Sequence, residues 1–168
     1  MSWDIFVQDI PEHAVSLDDI AEDFKPKLLV FRSNVIGAIL KIAPFADVSD
    51  PTWVRIQGHG ADIEVSLGDQ EQVAGFAFHV RGGDASIGII AGILQDLRLR
   101  ALDPGSDTGI FDPGKAGDSL KHWLEYRDLV CWRWCSFRGM PPSRAGRRSS
   151  LFDPAHIDWR HGEPRNAT

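Results

Sequence analysis

The chain has 168 residues, of which 43% are hydrophobic and 25% charged, with a formal net charge of −6. That suffices for one domain with a real core and is short for two, and the composition is that of a globular rather than a disordered chain. No apolar run approaches the ~20 residues that span a bilayer, so no membrane partner is expected, and the acidic balance argues against nucleic acid.

In chain order, residues 3–10, WDIFVQDI, alternate apolar and polar and end at Pro11, which reads as a first strand. The segment before Trp3 has no basic residues, so no signal peptide is expected. Ser16 and Asp19 form a capping-box variant ahead of Leu17, Ile20, Ala21 and Phe24, which share one face of a short helix stopped by Pro26. Ser33 then caps a second helix with Val35, Ile36, Ile39 and Leu40 inward, ending at Pro44. Residues 53–57 and 62–67 alternate on either side of Gly58-His59-Gly60-Ala61, a hairpin signal. A third run follows over 73–81. Ile87, Ile90, Ala91, Leu94 and Leu97 then recur at helical spacing, the clearest amphipathic helix in the chain. Two short extended pieces flank a turn-rich stretch at 103–109, and a last helix over about 119–130 buries Leu120, Trp123 and Leu124. Short connections between successive strands favour antiparallel pairing. The expected fold is therefore an α+β two-layer sandwich, a mainly antiparallel sheet of four or five strands with helices on one face, ferredoxin-like in outline.

Composition breaks after residue 130. Residues 1–130 hold 11 Lys+Arg against 21 Asp+Glu, a net of −10, whereas residues 131–168 hold 7 Arg, no Lys and 3 acids, a net of +4. A single α+β domain over 1–130 and a poorly structured, basic Arg/Pro-rich tail over 131–168 are expected. Two readings of that tail stay open: a functional basic segment, or sequence shifted out of its ancestral frame and never selected to fold.

On the third run, Phe76, Phe78 and Val80 share one face with Val54, Ile56, Ile63, Val65 and Leu67 of the hairpin. The opposite, open face then carries Arg55, Gln57, Asp62, Glu64 and Ser66 beside His79 and Arg81. Arg55, Glu64, His79 and Arg81 are the candidate binding residues, with His79 and Glu64 as a potential acid–base pair. The plainer reading is a solvated sheet face with cross-strand ion pairs. Gly82-Gly83-Asp84 between strand and helix resembles an anion-holding turn, yet neither G-x-G-x-x-G nor G-x-x-x-x-G-K-[ST] is present. Asp84, as N-cap, is expected to occupy the helix N–H groups with its own carboxylate. The turn therefore reads as structural.

Cys131-x3-Cys135 followed by His156-x4-His161 has a zinc-finger ligand order, but the spacer between the pairs is over-long and unpatterned. No metal and no cofactor is expected. Two cysteines form no disulfide framework, and a reducing, cytoplasmic location is expected. No G-x-S-x-G elbow is present. Asp9, Asp18, Asp19, Asp47 and Asp50 fall in loops and helix starts, where aspartate caps and turns.

Taken as whole pieces, MSWDIFVQD, FAFHVRGGD, and LRALDP followed by FDP give residues 1–130 a pattern that resembles a group of small bacterial α+β proteins of uncharacterised function. It is also similar to that of immunity proteins of polymorphic toxin systems. The resemblance transfers no catalytic residues; with it, the acidic body and the open mixed-charge sheet face lead us to expect a non-enzymatic interaction domain, antitoxin-like, that binds a basic protein partner. The alternative expectation is a small-molecule or anion-binding domain, or an enzyme, using Arg55, His79 and Arg81 on the open face.

Overall fold

A computed structural model describes residues 1–137. Met1–Cys131 forms a compact unit by itself, and the account below concerns it. Its strands are β1 (Trp3–Gln8), β2 (Val30–Phe31), β3 (Trp53–Gly58), β4 (Ala61–Ser66), β5 (Gln72–Val73), β6 (Gly75–Gly82) and β7 (Ala101–Leu102). The helices are α1 (Arg32–Ile42), α2 (Ala85–Leu97) and α3 (Ala116–Phe137). Five strands form an antiparallel sheet in the order β3-β4-β6-β1-β7, and β2 and β5 pair separately.

The period-2 pattern decides which face the helices cover. Ile5 and Val7 of β1, Val54 and Ile56 of β3, Ile63 and Val65 of β4, and Phe78 and Val80 of β6 are all buried in one cluster. That cluster also takes Val35 and Ile39 of α1, Ile90, Ile93 and Leu94 of α2, and Ala116 and Leu120 of α3. The fold is thus an α+β two-layer sandwich with the helices on one face. A second, small cluster of Ile10, Ala14 and Ile110 lies beyond the end of β1.

The β3–β4 connection has only two residues, His59 and Gly60, both left-handed at φ 52° and 81°. That is the mirror-image turn whose twist matches a hairpin. Both edges of the large sheet are closed by single bridges. Asp47 exchanges two backbone hydrogen bonds with Arg55 at 2.8 and 3.0 Å on the outer side of β3. On the outer side of β7, Leu102 pairs with Ile110, and Phe111 N–H donates to the Ala101 carbonyl.

Several local expectations are corrected. The helix expected after Ser16 is only one 3-10 turn, Leu17–Asp19, with Leu17 45% exposed. Asp19 does accept the Val15 and Ser16 N–H groups at 2.8 and 2.9 Å, but Asp18, Glu22 and Asp23 put charge where a helix would need apolar cover. In α1 the helix begins at Arg32 with Phe31 as N-cap, so Ser33 is not the cap. Ala38 takes the inward place expected of Leu40, which is 37% exposed. The run over 73–81 is split: Gln72–Val73 belongs to the small sheet, and β6 starts at Gly75. The last helix starts earlier, at Ala116, and continues to Phe137, past the expected end at 130. The tail expectations from residue 138 onward, with His156 and His161 of the zinc pattern, lie outside the described residues.

Candidate functional site

The hairpin, β6 and β1 bring the candidate residues into one row. In register, Arg55 of β3 faces Glu64 of β4, Glu64 faces His79 of β6, and His79 faces Asp4 of β1. Basic and acidic residue types alternate along that row across four strands. Within it, the Arg81 guanidinium donates to Glu64 at 2.7 Å, and His79 Nδ1 meets the Asp4 carboxylate at 2.8 Å. Asp4 also accepts the Ser2 hydroxyl at 2.6 Å. The Trp53 ring stacks on His79, with centroids 5.4 Å apart and 15° between planes.

The structure therefore gathers Arg55, Glu64, His79 and Arg81 on one open face and keeps Glu64 and His79 as cross-strand neighbours, but each has a different polar partner. Glu64 is engaged by Arg81, and the carboxylate on His79 is Asp4. The Asp4 carboxylate at Nδ1 orients the imidazole ring on the face. Asp4 and Trp53 were not among the sequence candidates. Each sits at the right phase of its alternating run, but only the β1–β6 pairing, which joins positions 75 apart, reveals Asp4 as a neighbour. Asp47 and Asp50 flank Arg55; their carboxyls are held below the usual value, first by bonds from Ser49 and Thr52 and less by the Arg55 charge.

The glycine turn is a packing junction. Gly83 has φ +88°, and a Cβ there would lie 2.0 Å from the Gly60 carbonyl oxygen in the hairpin turn. Asp84 does not cap α2: its backbone is already helical and its side chain makes no cap hydrogen bond. Ser86 closes the start of the helix instead, its hydroxyl donating to the Gly82 carbonyl at 3.0 Å and its N–H to Gly83 at 3.1 Å.

A cleft of about 620 Å³ lies elsewhere, between the 103–115 loop, the start of α3 and the segment at Val15 and Ser16. Its walls include Arg100, Asp103, Asp107, Asp112, Lys115 and Asp118, with His122 further along. Arg55, His79 and Arg81 do not line it. Asp103 is 1% exposed. Its Oδ1 accepts the Trp3 indole N–H at 3.0 Å and the Gly105 N–H at 2.9 Å, while Oδ2 has no partner among the described residues. The sequence placed Asp103 in a turn; the Asp-Pro-Gly letters gave no sign of burial. Among the described residues, no three His, Cys, Asp or Glu side chains gather as metal ligands.

The described residues form an α+β two-layer domain with a sheet face of mixed acidic and basic residues and a separate cleft rich in aspartate. Comparison with protein-family models, with curated proteins and with solved structures found no match to this chain.

Proposed function

We propose that the chain is a non-enzymatic protein-interaction domain of the immunity or antitoxin-like kind, acting in the cytoplasm and binding a basic protein partner through the open sheet face. The observation that carries this reading is the fixed row on that face: Arg55, Glu64, His79 and Asp4 in register, held by the Arg81–Glu64 and His79–Asp4 pairs. Side chains already held in place lose little freedom on docking, which favours association. Trp53, Arg55, Arg81 and Phe6, the last 41% exposed, are of the aromatic and arginine types that anchor interfaces. The excess of 21 acids over 11 bases in residues 1–130 attracts a basic partner at long range. The test is reconstitution of the full chain with a purified basic partner recovered by affinity capture. Trp53→Ala and Arg81→Ala are each expected to weaken the complex at least about tenfold, ~1.4 kcal/mol. Unchanged affinity in both variants, or no basic partner at all, overturns the reading.

One observation favours a second reading. The His79–Asp4 contact at 2.8 Å is the arrangement that prepares a histidine as general base, with Arg55 and Arg81 on the same face. Turnover of simple carboxylic or phosphate esters that disappears in both His79→Gln and Asp4→Asn would support it; equal rates in the variants and the parent chain would dismiss it.

A further inference from the structure

We infer that the cleft beside Asp103 is a binding site for an organic cation, a primary ammonium or guanidinium group, and that in the complex proposed above it receives a lysine or arginine side chain of the partner. The second half rests on that functional reading; the first half does not.

Among the described residues, Asp103 commits one carboxylate oxygen to Trp3 and Gly105, and the other, itself shielded from solvent, has no partner. A buried acceptor left unmade is costly, and a charged one more so. Among the described residues, no ion pair involves Asp103, Asp107, Asp112 or Asp118. Of the two permanent cations on the cleft wall, Arg100 is spent on the carbonyls of Pro11, Glu12 and Ala14. Lys115 makes no side-chain hydrogen bond or ion pair to any of the four aspartates among the described residues. Four aspartates and these two cations leave the cleft negative, and its surroundings deepen the field. Residues 9–23 carry Asp9, Glu12, Asp18, Asp19, Glu22 and Asp23 with no Lys or Arg, and the Leu17 N–H bonds the Thr108 carbonyl at 2.9 Å, tying this segment to the cleft loop. Val15, Ile110 and Phe111 supply apolar wall, which suits the methylene stem of a lysine or arginine with its charged head directed at the carboxylates. A metal ion is the poorer fit, because the aspartates do not converge as a ligand set among the described residues.

Trp3 makes the test direct, since its indole N–H is bonded to Asp103. The full chain, labelled with 15N, is titrated with N-acetyl-lysine amide, N-acetyl-arginine amide and the neutral N-acetyl-norleucine amide. The Trp3 indole resonance, assigned with Trp3→Phe, is followed. The two cationic probes are expected to give a saturable shift with Kd on the order of millimolar, as befits ligands of that size, and norleucine amide none. Asp103→Asn keeps an acceptor for Trp3 and Gly105 while removing the charge, and is expected to abolish the shift. Should that variant fail to fold, the double variant Asp107→Asn, Asp118→Asn, both at exposed positions, is expected to weaken binding about threefold or more. No saturable shift, an equal shift with norleucine amide, or unchanged binding in the double variant overturns the cation site. A separate arm uses 1,4-diaminobutane. If it binds much more tightly than either amino-acid amide, the occupant is a free amine and the side-chain half of the proposal is overturned. If the amides bind while no basic partner is recovered, that half and the interaction-domain reading fail together and the cation site stands.

Discussion

At Gly83 the backbone has φ +88° and a methyl group would sit 2.0 Å from the Gly60 carbonyl oxygen. Gly83→Ala must therefore both adopt a left-handed conformation and push the hairpin turn away from α2. A loss well above the ~1 kcal/mol of the conformational effect alone is expected, read as a fall in the melting midpoint; a midpoint equal to that of the parent chain would refute the junction. The loop aspartates behave as their positions suggest. Asp19 is held below the usual carboxylate value chiefly by the Val15 and Ser16 N–H groups, Asp47 by Ser49, and Asp50 by Thr52. Because their folded values are depressed, the unfolded chain takes up protons first as pH falls. Their contribution is complete above the ordinary aspartate value and is lost as pH drops through the folded values. Melting midpoints are expected to decline on acidification below about pH 4, and less so in Asp19→Asn, Asp47→Asn, Asp50→Asn. Asp84 defeats the same reading of letters: a capping residue needs an extended backbone, and the turn holds Asp84 helical with φ −65° and ψ −26°. The partner of His79 was illegible for another reason, since Asp4 becomes its neighbour only when β1 returns to β6.

The elements that alternation and helical spacing marked most strongly, β3, β4, β6 and α2, are those whose inward-facing apolar residues reach or pack against the main cluster. Weak elements were misread where local signals lacked an apolar face to bury. The capping box at Ser16 and Asp19 starts a turn, but no residue of that turn is buried, so nothing extends it. Length was misread in α3, whose start at Ala116 follows from the Asp112 carbonyl accepting the Ala116 N–H at 2.8 Å, a turn the apolar spacing does not encode. The end of α2 supplies a test. Arg98 takes a left-handed conformation at φ 54° so that the Leu99 N–H can reach the Leu94 carbonyl at 2.9 Å, the reversal that glycine usually serves. Its side chain is exposed and makes no hydrogen bond among the described residues. Arg98→Gly is expected to raise stability by roughly 0.5–1 kcal/mol, the left-handed strain removed less the added freedom of glycine in the unfolded chain. A lower denaturation midpoint would show that Arg98 carries some other role.

For the whole molecule, the fold class was readable because each buried face repeats at the period of its own element. The strand order β3-β4-β6-β1-β7 was not, since the placement of β1 between β6 and β7 depends on pairings with long sequence separation. The same distinction governs the two sites. The open face follows from alternation along β3, β4 and β6, whereas the cleft depends on a Trp3–Asp103 hydrogen bond spanning 100 positions.

An antiparallel sheet with a free border is a template on which another chain can build, and repeated addition gives insoluble polymer. Here Asp47 occupies the middle of the β3 border at Arg55, and Ile110 and Phe111 occupy that of β7. A foreign strand would find no more than three consecutive residues of β3 or of β1 before meeting one of these plugs or β7 itself. The consequence is colloidal: the border strands of the sheet are blunted as templates, so the folded chain can reach high concentration with less tendency to seed its own aggregation.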